Sequence, residues 1–127
     1  MLKAVIVDAK AVSRDLLTTV LSEGKYEVVG ATHTGAQGYA LTQKYHPHIV
    51  CVALDQMEDG SGIVQSIRQN LPKTLIFLVS GELDARTVQS AQAAGVSGFI
   101  VKPFKADAVL KTIRNTVLAM VKQQQAS

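Results

Sequence analysis

The chain has 127 residues, 47% of them apolar and 18% charged, with nine Gly, three Pro and one Cys. That length suffices for one core, so a single domain over residues 1–122 with a polar tail at 123–127 is expected, and the composition excludes a disordered, low-complexity or disulfide-stapled protein. A net charge of +3 on scattered lysines and arginines argues against nucleic-acid binding, and no apolar run approaches the roughly 18 residues of a membrane span; with no leader ahead of the first strand, a cytoplasmic location is expected.

Leu2 to Val7 reads as an apolar strand that ends in Asp8. From Ala11 to Ser22, Val12, Leu16, Leu17, Val20 and Leu21 recur at helical spacing and predict one apolar face, with Gly24 as the stop. Tyr26 to Thr32 is a second strand. Thr34 and Gln37 have capping-box spacing and open a helix through Tyr45, which Pro47 ends. Ile49 to Asp55 is apolar up to its final carboxylate, as a strand buried on both faces of a parallel sheet is. Cys51 within it reads as a small core residue and not a reactive thiol. His46 and His48, with His33, have metal-ligating chemistry, but no carboxylate stands behind them and they read as surface residues.

Asp59-Gly60-Ser61-Gly62 marks a turn, after which Ile63, Val64 and Ile67 form the apolar side of a short helix ending near Asn70 to Pro72. Thr74 to Val79 is a fourth strand, closing on Ser80-Gly81. Asp84 is the N-cap of a fourth helix, which runs to Ala94-Gly95 and has so few large apolar residues that loose packing is expected. Gly98 to Val101 is a fifth strand, Lys102-Pro103-Phe104 a loop, and Ala106 to Lys122 a last helix with Val109, Leu110, Ile113, Val117, Leu118 and Val121 inward. Strands alternating with helices in this way specify a doubly wound (βα)5 α/β fold with a parallel sheet and right-handed crossovers. Five strands fit the flavodoxin-like order 2-1-3-4-5, which sets Asp8 and residues 53 to 55 across one crevice beyond the strand ends.

The polar residues at the strand ends, Asp8, Asp55, Ser80 and Lys102, resemble those of the response-regulator receiver domain, the family of the chemotaxis protein CheY. The most specific stretch is Gly98-Phe99-Ile100-Val101-Lys102-Pro103-Phe104, supported by Val5-Ile6-Val7-Asp8, Leu78-Val79-Ser80-Gly81, and the Asp59-Gly60 turn followed by Ile67-Arg68. The resemblance implies that Asp8 matches the first of two acids that hold Mg²⁺, Ser80 and Lys102 the residues that contact a phosphoryl group, and Phe99 the aromatic that accompanies switching. The family needs two more carboxylates, a second acid after strand 1 and a phosphoacceptor aspartate on strand 3.

Both positions depart from the pattern. Ala9 stands at the second acid, and counting from Pro47 puts Ala53 at the acceptor, with Asp55 two residues beyond. The alternative register makes Asp55 the acceptor; the two residues share one face of an extended strand, so parity allows it, but it needs extra residues in the strand and fewer in the loop. The resemblance with these departures implies a degenerate receiver, a phosphorylation-independent interaction module and not an enzyme, with no cofactor and Mg²⁺ weak or absent. Its implied partners are proteins: a histidine kinase, another response regulator, an effector, or a second copy across the fourth helix, fifth strand and fifth helix, where Phe99, Phe104 and Lys105 are expected to cluster. With no output domain after the last helix, output is expected in trans. A flavin-binding flavodoxin-like enzyme is the rival from another class, but Ala9-Lys10-Ala11-Val12-Ser13 has no glycine for a phosphate cradle.

Overall fold

Strands β1 (Lys3–Val7), β2 (Glu27–Thr32), β3 (Ile49–Ala53), β4 (Leu75–Ser80) and β5 (Gly98–Val101) alternate with helices α1 (Ala11–Glu23), α2 (Gly35–Tyr45), α4 (Ile63–Asn70), α5 (Ala85–Ala94) and α6 (Ala106–Ala126). A single turn of helix, α3 (Leu54–Met57), is inserted directly after β3. The computed structural model describes residues 1–58 and 62–126. Of the expected Asp59-Gly60-Ser61-Gly62 turn, only Gly62 lies among the described residues; it adopts φ 66°, a left-handed conformation suited to glycine, and leads into α4.

All five strands are parallel and follow the order β2-β1-β3-β4-β5, the expected topology. Strand alternation divides the core into two layers. Ala4, Ile6, Ile49, Cys51, Phe77, Val79 and Ile100 pack with Leu17 and Leu21 of α1 and Val109 and Ile113 of α6. Val5, Val7, Val50, Val52, Ile76 and Leu78 pack with Ile63, Val64 and Ile67 of α4 and Ala91 of α5. The run 49–53 is apolar throughout because both of its faces are covered.

The expected caps form. The Thr34 hydroxyl accepts from the Gln37 N–H at 3.2 Å, and the Asp84 carboxylate from the Thr87 N–H at 2.7 Å. The fourth predicted helix, α5, buries one residue, Ala91, as its sparse apolar content implies.

The helix faces are narrower than the periodicity predicts. On α1, Leu17 and Leu21 are buried, whereas Val12 and Leu16 are 72% and 53% exposed, because a helix lying flat on a sheet presents only a thin stripe to it. On α6, Leu118 and Val121 are 51% and 42% exposed. The helix is also longer than expected and takes in residues 123–126 of the predicted tail. Its 21 residues run about 31 Å, while five-residue strands reach only about 16 Å, so its last turns have no sheet to cover them. Gly24 does end α1, but the left-handed residue is Lys25 at φ 71°. What position 24 needs is space, since a Cβ there would lie 2.3 Å from Leu110 Cδ2.

Candidate functional site

The parallel register brings the strand ends to one level. Val7 pairs with Val52, Ala53 with Val79, and Ser80 with Val101, so Asp8, Ala53, Ser80 and Lys102 all sit where their strands stop. Together with Lys10, Asp55 and Glu58 they line an open crevice of about 320 Å³. The sequence-predicted residues are therefore brought together, with one change of position. The chain leaves β3 at Ala53, and Asp55 lies exposed on α3 at the rim instead of at the tip of an extended strand. The apolar continuation that suggests a longer strand is Leu54, which with Met57 turns to pack against the layer under α4 and α5. Parity between residues 53 and 55 accordingly has no bearing on which of them faces the crevice.

Asp8 is 3% exposed, and both of its oxygens are engaged within the chain. Oδ1 accepts from the Lys10 N–H at 2.9 Å, and Oδ2 lies 3.2 Å from Lys102 Nζ, whose side chain is 24% exposed. The Asp8 N–H donates to the Thr32 carbonyl at 3.0 Å, and Arg14 Nη1 reaches back to the carbonyls of Asp8 and Ala9 at 2.8 and 3.3 Å. The loop after β1 is thus strapped from both sides. Ala9 is exposed and offers a methyl group, and Ala53 closes the floor with another.

Ser80 is turned onto its own loop. Its hydroxyl donates to the Glu82 carbonyl at 2.8 Å and accepts from the Glu82 N–H at 3.2 Å. Among the described residues, no three His, Cys, Asp or Glu side chains converge as a metal-holding group. His48 Nδ1 accepts from the Lys3 N–H at 3.0 Å at the opposite end of the sheet, and His46 caps α2 in a left-handed conformation at φ 47°. Burial pushes the Cys51 thiol up to about 12, so it remains a protonated core group.

The expected cluster of Phe99, Phe104 and Lys105 does not form. Phe99 packs against the α4/α5 layer and Phe104 against the α1/α6 layer, on opposite sides of the sheet. Phe99 instead shares an edge groove of about 330 Å³ with Val101, Pro103, Lys105 and Ala108. The Lys102–Pro103 peptide in that loop is cis. Lys10, Arg14 and Glu58 were not legible as site residues. The spacing of Lys10 and Arg14 from Asp8, at the start of the following helix, is the one signal that could have marked them.

The model of the family described as "Response regulator receiver domain" matches residues 4–114. The chemotaxis protein CheY of Bacillus subtilis (strain 168) is 32% identical over 116 residues, which cover 91% of this chain and 97% of that protein. CheY of Thermotoga maritima is 28% identical over 112 residues, covering 87% and 93%. Among solved structures, Vibrio cholerae CheY4 superposes with a TM-score of 0.81 at 25% identity, covering 91% and 98% of the two chains. A CheY-like receiver domain protein from Methanospirillum hungatei has the same fold at a TM-score of 0.85. With its flavodoxin-like strand order, its strand-end residues and these relatives, the chain belongs to the response regulator receiver domain family, the CheY-like proteins of two-component signalling.

Proposed function

We propose that this receiver is degenerate: it acts in two-component signalling as an interaction module that needs no phosphoryl transfer. The observation behind this reading is the closed state of Asp8, whose two oxygens are occupied by Lys10 N–H and Lys102 Nζ in a crevice floored by Ala53. The acceptor that the family uses is a carboxylate, and the methyl group at Ala53 cannot attack phosphorus. Mg²⁺ requires about six oxygen ligands, several of them from water but anchored by carboxylates, and Ala9 and Ala53 withhold two of these. Metal affinity is therefore weak or absent, and no cofactor and no catalytic activity are assigned.

The pair of buried Asp8 and half-buried Lys102 holds the strand ends, so a partner, not a phosphate, selects the conformation. The partners are proteins: a histidine kinase, another response regulator, an effector, or a second copy through α5, β5 and α6. They meet the edge groove of Phe99 and Lys105, with Phe104 supporting it from the other layer. We assign the chain to the cytoplasm, with no nucleic-acid and no membrane partner.

One observation favours a second reading. Asp55 is exposed and lines the same crevice, so it can meet a phosphodonor as an acceptor with an impaired metal site. Incubation with acetyl phosphate and Mg²⁺, followed by intact mass measurement, decides between the two. The unmodified mass is expected; an acyl phosphate at Asp55 overturns the proposal. In the Ala9→Asp, Ala53→Asp double variant, Mg²⁺ affinity measured by calorimetry should rise by about tenfold or more. Calorimetry suits a chain with no Trp to report binding.

A further inference from the structure

At the end of the sheet away from the crevice, α6 stands beside the starts of β4 and β5, and the space between them is an open groove of about 670 Å³. Leu75 and Met120, both half-buried, supply its apolar surface. Its charged residues are Arg68 and Lys73, and no Asp or Glu is among the residues that line it.

Among the described residues, the hydrogen-bond partners of the Arg68 side chain are backbone carbonyls. Nη1 donates to the carbonyls of Pro72 and Thr74 at 2.8 and 3.0 Å, and Nη2 to that of Gly95 at 2.7 Å. Among the described residues Arg68 has no carboxylate partner, and partial burial shifts its pKa downward. Lys73 is exposed and has no carboxylate partner among the described residues either. The Ser97 hydroxyl accepts from the Ile76 N–H at 3.1 Å, leaving its hydrogen to donate. The groove therefore combines cations and donors with apolar surface and has no acidic side chain in its lining.

We propose that this groove binds an acidic, amphipathic segment of a protein partner, with carboxylates on Lys73 and the open edge of Arg68 and apolar side chains on Leu75 and Met120. The α6 helix of a second copy is a poor occupant. The walling helix α6 has one acid, Asp107, in its first turn, against Lys111, Arg114 and Lys122 farther along. The site is independent of the phosphorylation reading, since it involves none of the crevice residues.

The test uses two peptides of about 12 residues, one of Glu and Leu at helical spacing and one with every Glu replaced by Gln, plus an oligothymidylate of similar length. Each is titrated into the isotope-labelled full chain and followed by amide shifts. The Glu peptide is expected to shift residues 73–75, 97 and 116–124, with the Gln peptide weaker by about tenfold. Lys73→Glu, an exposed position that leaves the core untouched, should weaken the Glu peptide by about tenfold or more, while Lys44→Glu on α2 should not change it. Five results overturn the proposal: no groove shifts at millimolar peptide, equal binding of the Gln peptide, equal binding of the Glu peptide by Lys73→Glu, equally tight binding of the oligothymidylate, or groove shifts that arise from self-association without peptide.

Discussion

Asp8 and Lys102 form the most sharply defined contact in the crevice. A carboxylate that is 3% exposed has lost nearly all of its water and depends on its two donors, Lys10 N–H and Lys102 Nζ. Lys102→Met leaves that charge with one donor, and urea unfolding should show a loss of about 1–3 kcal/mol. In the Asp8→Asn, Lys102→Met double variant the unpaired charge is gone, so the combined loss should fall short of the sum of the single losses by about 1 kcal/mol. Strict additivity would show that the pair is not coupled. These two residues were legible in the sequence because a strand that ends in a charge, in a parallel sheet, has only one place to put it. Side-chain direction was not legible. Ser80 was found by position, yet its hydroxyl serves Glu82; Phe99 and Phe104 were expected together, yet the loop between them carries the chain to the other layer.

Local spacing fixes some helices more tightly than their apolar content does. A Cβ at Gly38 of α2 would lie 2.5 Å from Val7 Cγ2 and 3.0 Å from Ile63 Cδ1, both on buried, branched side chains. Gly38→Ala should therefore cost about 1–3 kcal/mol in chemical unfolding. Gly24→Ala meets Leu110, a half-buried side chain on α6 that can change rotamer, and should cost less; the reverse order would contradict the packing argument. On α5, the Thr87 N–H bond to Asp84 holds that carboxylate below its ordinary pKa. The stabilisation it provides is present above the unfolded value of about 4 and is lost as pH falls through the depressed folded value. The Thr87 amide resonance should titrate in that acidic window in the native chain and stay flat in Asp84→Asn, which keeps a capping oxygen without the charge. Caps of this kind are readable because they need particular residues at fixed spacing. The exposure of Val12 and Leu16 was not, because periodicity marks a helical face without saying how wide a stripe the sheet will cover.

At the scale of the molecule, the sheet has two working ends, and the helices differ in how far they follow it. The parallel sheet and its two covered faces were implied by five apolar runs alternating with helical periods, whereas the strand order came from the number of strands and not from the periodicity. The length of α6 was not, because the glutamines at 123–125 are polar on every side and the same composition suits a frayed tail or a continued helix. Residues 121–125 are exposed, and Gln123 and Gln124 among them line the groove with Lys73 and Met120. Truncating the chain after Lys122 removes groove wall without removing core, so the melting temperature should move by no more than about 2 °C. Binding of the acidic peptide should weaken several-fold in the same variant. A fall in melting temperature of about 5 °C or more would instead place these turns within the cooperative core, and unchanged peptide affinity would move the binding surface up toward Thr74 and Ser97.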